Sequence, residues 1–356
     1  MAGATVAILS PGEMGSGIAC LLRAHQFRVI TSISGRRDSL SSSSYTYDRA
    51  VASKIEFVSS DVDLINQADF ILSIVPPSEA LPTARRVGYA YTYAARGNKL
   101  PLYYFDLNAV SPNLAEKVED VFSKPTAGAN GAVRFIDGAI LGGAPEFMQG
   151  PGGVGGVWKK PRVVVSGKEK LVGDSGHLLE EVLGLTWVGD RVGQASGLKM
   201  CFASLTKGLT GLAVQSFTTA SNLSLLPALK EELAIFCSPL LTFLESAVPA
   251  VPPRAYRFVR EMEEIADTHA EAGFSRAVFS GIADIYRGVA QDEVLGKERS
   301  GERNRGQTVD DFADTYGEGM RRREEVNRNG NNGGVQDGME LEKKWMGRAV
   351  ERMAVD

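Results

Sequence analysis

The feature that most constrains this chain lies near its start. Thr5 to Leu9 is an apolar, β-branched run, Ser10-Pro11-Gly12 turns the chain, and a helical pattern continues through Glu13-Met14-Gly15-Ser16-Gly17-Ile18-Ala19. A strand passing through such a turn into a helix leaves the first helical N–H groups without intrahelical partners. It also aims the positive end of the helix dipole at the turn. Where the turn lacks bulky side chains, its backbone can approach a pyrophosphate, which makes a dinucleotide site. The usual spacing is G-x-G-x-x-G. Here Ser10, itself small, replaces the first glycine, and Gly12 and Gly15 hold the other two positions. The alternative is a purely structural turn.

The rest of the N-terminal half suits such a site. Phe27–Ile33, Phe70–Val75, Leu102–Leu107, Phe135–Leu141, Val163–Val165 and Leu185–Val188 are short apolar runs separated by helical patterns. That alternation predicts an α/β architecture with an N-terminal Rossmann-type parallel sheet. From Gln194 the strand signals stop, and an all-α C-terminal domain is expected. Residues 194–225 carry only Lys199 and Lys207 as charged side chains, which predicts a helix surrounded by protein. Such a helix also suits a homodimer, in which a second copy covers it. In Arg254–Ala270, Arg257/Glu261 and Arg260/Glu264 read as surface pairs at i,i+4 spacing. The expected division is residues 1–190 for the nucleotide, 191–295 for the helical substrate and dimerisation domain, 296–338 as a flexible polar segment, and 339–356 as a terminal helix. Gly150–Gly156 lacks the Gly-Lys-Ser/Thr ending of a phosphate loop and reads as a flexible surface loop.

Composition excludes several classes. With 44% hydrophobic residues in 356, the chain has enough apolar material for two domains. The 39 basic residues are outnumbered by 43 acidic ones, for a net charge of -4, which argues against nucleic acid as a partner. No apolar run is long enough for a membrane span, and no basic stretch leads into an apolar one near the start, so neither membrane nor signal peptide is expected. Cys20, Cys201 and Cys237 are odd in number and far apart, as are His25, His177 and His269. They predict buried thiols in a reducing, cytoplasmic setting and no metal site.

The second strand bears on the cofactor. An NAD site usually has an acidic residue about 20 positions after the glycines, to hold the ribose hydroxyls. This chain instead has Ser34-Gly35-Arg36-Arg37. A serine beside two guanidiniums suits a 2′-phosphate, so NADP (as NADPH) is expected over NAD. Asp38 weakens that argument, and a solvated basic loop is the alternative.

Four segments together resemble the 6-phosphogluconate dehydrogenase / β-hydroxyacid dehydrogenase superfamily, in a branch with its own helical C-terminal domain. They are Gly12–Gly15, Asp106-Leu107-Asn108-Ala109-Val110-Ser111-Pro112, Asp137-Gly138-Ala139-Ile140-Leu141-Gly142-Gly143, and Gly193–Gly208 around Lys199. Pro253–Arg257 with Glu261–Ala266 resembles the second domain of that branch. The resemblance implies an active site between a Rossmann domain and a helical domain. Val75 and Pro76 would line the cofactor there. Asn108 would stand near nicotinamide and substrate, with Ser111 of the same segment on the substrate side. Gly142 and Gly143 would hold the acid group of a small-molecule substrate, and Lys199 would be the catalytic lysine.

Chemistry supports the last assignment independently. A lysine on a nearly charge-free helix is costly to desolvate, and burial draws its pKa toward neutrality, which suits a proton donor or acceptor. The alternative is a lysine whose stem lies along the helix and whose head reaches water. Lys207 comes two turns later, rotated by about 80° on an ideal helix, and reads as a surface charge. Three positions depart from the superfamily pattern. Leu141 replaces a serine, Ala203 an asparagine one turn after the lysine, and Asn108-Ala109 a Ser-Thr pair. These changes imply a less polar pocket. The expected activity is NADP-dependent interconversion of an alcohol and a carbonyl. Imine reduction on the same scaffold, oxidative decarboxylation of a sugar acid, and NADPH binding without catalysis are the alternatives.

Overall fold

The computed structural model describes residues 3–32, 43–97, 99–123, 133–150, 155–299 and 301–331. Ser34, Arg36, Arg37, residues 151–154 of the glycine-rich loop and the terminal helix expected over 339–356 lie outside the described residues.

The first half alternates as expected. Its elements are β1 (Thr5–Leu9), α1 (Glu13–Ala24), β2 (Arg28–Ser32), α2 (Ser43–Ala52), β3 (Glu56–Val58), α3 (Asp61–Gln67), β4 (Phe70–Ser73), α4 (Ala80–Tyr91), β5 (Tyr103–Asp106), α5 (Pro112–Ser123) and β6 (Arg134–Leu141). A hairpin of β7 (Glu146–Gln149) and β8 (Gly156–Lys159) precedes β9 (Arg162–Ser166), α6 (Gly173–Leu183) and β10 (Leu185–Gly189). The sheet order is β10-β9-β6-β5-β4-β1-β2-β3. From β3 to β6 every pairing is parallel, whereas β9 runs antiparallel to β6, so the sheet is not parallel throughout. The chain crosses sides between β1 and β4, which opens a crevice at their carboxyl ends, the place where open α/β sheets receive nucleotides.

Strand residues alternate between two cores, because successive side chains point to opposite faces. Val6, Ile8, Phe105 and Ile136 pack with Ile18, Leu22 and Leu179 on the α1/α6 face. Ala7, Leu9, Ile71 and Tyr104 pack with Leu64, Ala84 and Val118 on the α3/α4/α5 face. Burial on both faces explains the nearly continuous apolar strands of the sequence.

The second half contains α7 (Gln194–Ala203), a π-helical turn (Ser204–Gly208), α8 (Leu209–Asn222), α9 (Leu226–Ala247), α10 (Ala255–Glu271), α11 (Ala277–Ala290) and α12 (Val309–Asn331). The chain divides into two compact units, one of Met1–Gly211 with Tyr256–Tyr286 and one of Leu212–Ala255 with Arg287 onward. Most of α10 and α11 therefore groups with the sheet.

Several sequence expectations change here. The stretch expected to be flexible over 296–338 carries α12, because Val309, Phe312, Ala313 and Tyr316 recur at helical spacing and are buried. Of Gly150–Gly156, Gly156 belongs to β8 rather than to a loop, and Gly150 N–H donates to Gly155 O at 3.1 Å, while residues 151–154 lie outside the described residues. The cysteines are not buried thiols: Cys201 is exposed, and Cys20 and Cys237 are intermediate. Cys201 shares an outward apolar face with Leu198, Phe202 and Leu205, so the low charge of this region does not mean enclosure. No single helix among the described residues is long and apolar enough to cross a membrane.

Candidate active site

The glycine turn after β1 has the geometry that its sequence predicts. A Cβ on Gly15 would stand 2.5 Å from Ser10 O and 3.1 Å from Ile8 Cγ2, so only glycine lets α1 sit this close to β1. A Cβ on Gly12 would meet nothing within 4 Å, so the turn opens to free space there. Gly12 caps α1 without a side-chain hydrogen bond, so the helix begins at that opening. Ser10 N–H donates to Ile74 O at 3.3 Å, tying the turn to the chain after β4. Glu13 is exposed, and Met14 is half-buried against the α1-side core.

Asn108 clamps two neighbouring strand ends. Its Oδ1 accepts the Val75 N–H at 2.7 Å, and its Nδ2 donates to Ser73 Oγ at 3.1 Å and to Asp106 Oδ1. The side chain is buried and spent on holding the Val75-Pro76 turn, of which Pro76 is exposed. Ser111 is also buried, and its N–H donates to Glu264 Oε2 at 2.9 Å. Gly142, at φ +124°, and Gly143 turn the chain after β6 and are exposed.

Two buried carboxylates shape the floor. Asp137 on β6 is fully buried at the start of α7. Its Oδ2 accepts from Ser166 Oγ at 2.7 Å and from the N–H groups of Gly193, Ala195 and Ser196 at 2.9, 3.1 and 3.2 Å. Its Oδ1 accepts from Ser196 Oγ at 2.6 Å. A carboxylate on these orphan amides caps the helix and complements its dipole. Gly193 completes the cap at φ +89°, in the left-handed region, with room for a Cβ limited by Pro112 Cβ at 3.1 Å. On the adjacent β5, Asp106 lies 1% exposed with Oδ2 unpartnered among the described residues. Burial, and then the charge of Asp137, push its carboxyl up to about 7.

Lys199 projects from the capped helix. Its Nζ donates to Ile140 O at 2.5 Å, just before the Gly142-Gly143 turn. The side chain is half-buried. Desolvation first, and then the ammonium of Lys207, lower it to about 8, against a smaller opposing effect of Glu261.

Lys207 is not the surface charge expected from ideal helix geometry. It belongs to the π-helical turn Ser204–Gly208, which adds a residue to one turn and so takes back about 100° of rotation. That offsets the 80° or so that an ideal helix would put between the two lysines. Lys207 Nζ donates to Glu261 Oε2 on α10 and lies 4.6 Å from the Phe258 ring centroid. Tyr286 Oη donates to Lys207 O at 2.5 Å.

The acidic residues of α10 are likewise not confined to a solvated face. Glu264 is 1% exposed and accepts from Ser111 N–H and, at 2.7 Å, from Arg260 Nη2. Burial raises the Glu261 carboxyl, but Lys207, Lys199 and Arg257 outweigh it and hold it below the usual range. Arg257 Nη2 lies 3.8 Å from Glu13 Oε2 at the start of α1. One stripe of α10 (Arg257, Glu261 and Glu264) thus reaches the glycine turn, the lysines and the loop after β5 in turn.

Asp106, Asp137, Lys207, Glu261 and Glu264 were not among the predicted site residues. The aspartates left a signal, since each is a lone charge inside an apolar strand and needs a buried partner. Glu264 left a weaker one, beside Met262 and Ile265 on the apolar side of its helix. Lys207 left none, because a π-turn has no reliable pattern in a single sequence.

These features define a Rossmann sheet with a lysine-bearing helix tied to β6, and known proteins share that architecture. Residues 220–289 match a domain of unknown function, DUF1932. An uncharacterised 28.5 kDa protein of Methanothermus fervidus is 27% identical over 173 residues, which is 48% of this chain and 55% of that protein. The match thus spans about half the length of that curated relative. The structure of MTH1747, a conserved protein of unknown function described as similar to 3-hydroxyacid dehydrogenases, superimposes with a TM-score of 0.55 at 25% identity, covering 82% of this chain and 99% of that one. The 3-hydroxyisobutyrate dehydrogenase of Mycobacterium tuberculosis, solved with L-serine, superimposes with a TM-score of 0.56 at 16% identity, covering 88% of this chain and 98% of that one. The chain has the fold of the β-hydroxyacid dehydrogenase superfamily, as its motifs led us to expect.

Proposed function

We propose that this protein is an NADP-dependent oxidoreductase that interconverts an alcohol and a carbonyl on a small organic substrate, with Lys199 moving the proton. One observation carries the reading: a half-buried ammonium, drawn to about 8, is held on Ile140 O beside the open Gly142-Gly143 turn. The glycine turn fits a dinucleotide, because α1 starts at Gly12 without a side-chain cap and a Gly12 Cβ would meet nothing there. When bound, NADPH would supply the hydride.

The side chains do the rest. In the reducing direction, Lys199 Nζ hydrogen-bonds the carbonyl oxygen, stabilises the charge that develops there and gives up its proton to form the hydroxyl. The neutral amine then regains a proton from solvent. In the oxidising direction the same amine accepts the hydroxyl proton. Ile140 O orients the ammonium, the amides around Gly142 and Gly143 would receive the acid group, and Asn108 keeps the Val75-Pro76 turn in place for the nicotinamide end. The exposed apolar residues Leu198, Phe202 and Leu205 support the homodimer expected from the sequence.

Titration with NADPH and NADH, then a panel of carbonyls, hydroxy acids and cyclic imines with the tighter cofactor, tests this reading. Lys199→Ala should lower turnover by about 10² or more while leaving NADPH affinity nearly unchanged. Unchanged turnover removes Lys199 from the chemistry. NADPH binding with no oxidation across the panel makes the protein a nucleotide binder instead.

A further inference from the structure

Arg257 and Arg260 lie on one helix, α10, and are used differently. Arg260 is spent within the protein: its Nη1 donates to Glu263 Oε2 at 3.0 Å and its Nη2 to Glu264 Oε1 at 2.7 Å. Arg257 makes no hydrogen bond among the described residues. Its Nη2 lies 3.8 Å from Glu13 Oε2, an ion pair beyond hydrogen-bond reach, with the two side chains 42% and 44% exposed. Arg257 therefore keeps its whole N–H fork for another acceptor.

The place it reaches is the glycine turn. Glu13 is the first residue of α1, directly after Gly12. A carboxylate there complements the helix dipole. It also stands where a nucleotide diphosphate would come, since a Cβ on Gly15 would collide with Ser10 O and a Cβ on Gly12 would meet nothing within 4 Å. Two anions at one turn repel each other unless a cation is shared between them. An exposed ion pair of this length is worth little, whereas an arginine and a phosphate form charge-assisted, two-pronged hydrogen bonds. That difference decides where the guanidinium goes when both acceptors are offered.

We propose that Arg257 is a diphosphate-binding residue of the nucleotide site: with a dinucleotide at the glycine turn, its guanidinium leaves Glu13 and hydrogen-bonds the diphosphate oxygens. This rests on the reading of the glycine turn as a dinucleotide site. Glu13 acts against the contact, because its carboxylate repels the same phosphates and competes for the same fork. The assignment adds a residue of α10 to a site otherwise built from β1 and α1.

The test measures dissociation constants of NADPH, NADH and ADP-ribose for the full-length protein by titration calorimetry, without substrate. Arg257→Gln should weaken the tighter of the two dinucleotides by about tenfold or more, and Arg257→Lys by less, since an ammonium keeps the charge and loses the fork. Glu13→Gln should tighten binding. The deciding protein combines Glu13→Gln with Arg257→Gln, and it should still bind about tenfold more weakly than Glu13→Gln alone. Were Arg257 present only to neutralise Glu13, that loss would vanish once Glu13 carries no charge, and its absence overturns the proposal. An unchanged constant in Arg257→Gln does the same. ADP-ribose keeps the diphosphate and lacks both nicotinamide and 2′-phosphate, so its affinity should fall with that of the dinucleotide. Undiminished ADP-ribose binding in Arg257→Gln would put the arginine on another part of the cofactor and overturn the assignment. If neither dinucleotide binds the wild type, the nucleotide reading fails and this contact with it; if one binds and Arg257→Gln changes nothing, the contact alone fails.

Discussion

A lysine that exchanges protons near neutral pH needs its charged form made costly without being left unsolvated. At Lys199, burial and a neighbouring ammonium supply the cost, and a single carbonyl supplies the hydrogen bond. These fix the sign of the pH dependence. Reduction needs the ammonium, so the rate of carbonyl reduction should fall as pH rises through about 8, while alcohol oxidation, which needs the free amine, should rise over the same interval. Initial rates in both directions from about pH 6 to about pH 10 check this, and parallel profiles would contradict it. Asn108 and Ser111 carry the opposite lesson. Both are polar residues of a segment that resembles a substrate-binding one, yet the Asn108 amide and the Ser111 N–H are spent within the protein. A sequence gives the chemical type of such a group but not the partner that consumes it.

At the scale of elements, α7 depends on one residue outside it. Asp137 satisfies the orphan amides at Gly193, Ala195 and Ser196 from the neighbouring strand, and so sets where Lys199 emerges. Asp137→Ala would leave the Gly193 and Ser196 N–H groups without that acceptor, and Ala195 with Ser166 Oγ alone, and should cost about 3–5 kcal/mol, read as a lower denaturant midpoint, together with loss of turnover. Asp137→Asn should fall between, since it keeps one acceptor oxygen for the N–H groups, turns its NH₂ toward the Ser196 hydroxyl and loses the charge. Equal stability of all three proteins would mean that the cap contributes nothing. The strands themselves were legible as apolar runs, because a sheet covered on both faces writes that pattern directly. The short β3 was not, since three residues carry little patterning, and neither was the β7/β8 hairpin, whose residues are mostly exposed. α12 was hidden by its charged surface, although the spacing of Val309, Phe312, Ala313 and Tyr316 was present in the chain.

For the molecule as a whole, the neighbouring carboxylates of β5 and β6 put a pH term into folding. Asp106 has its folded pKa raised to about 7 from 3.8, so it favours the folded state least where it must ionise. Between those values the folded protein holds a proton that the unfolded chain has lost. Stability should therefore fall as pH rises from about 4 to about 7, by on the order of 4 kcal/mol, and then level off. Asp106→Asn, which resembles the protonated acid, should remove most of that slope. Denaturant unfolding at about pH 5 and about pH 8 for both proteins reads it, and identical slopes would remove Asp106 as the cause.

By itself the sequence determined the periodicities and the residue types: strands that must be buried on both faces, a turn of small residues between a strand and a helix, and a lysine in a helix almost free of charge. Those are local properties, because the side-chain repeat of a strand or helix and the size of a glycine do not depend on what lies elsewhere. Which charges meet was decided only by the tertiary structure. Coulomb energy and desolvation depend on distance and enclosure, so Glu261 became the partner of Lys207, and Asp137 the cap of α7, only once the chain had brought residues 54 and 59 positions apart into contact.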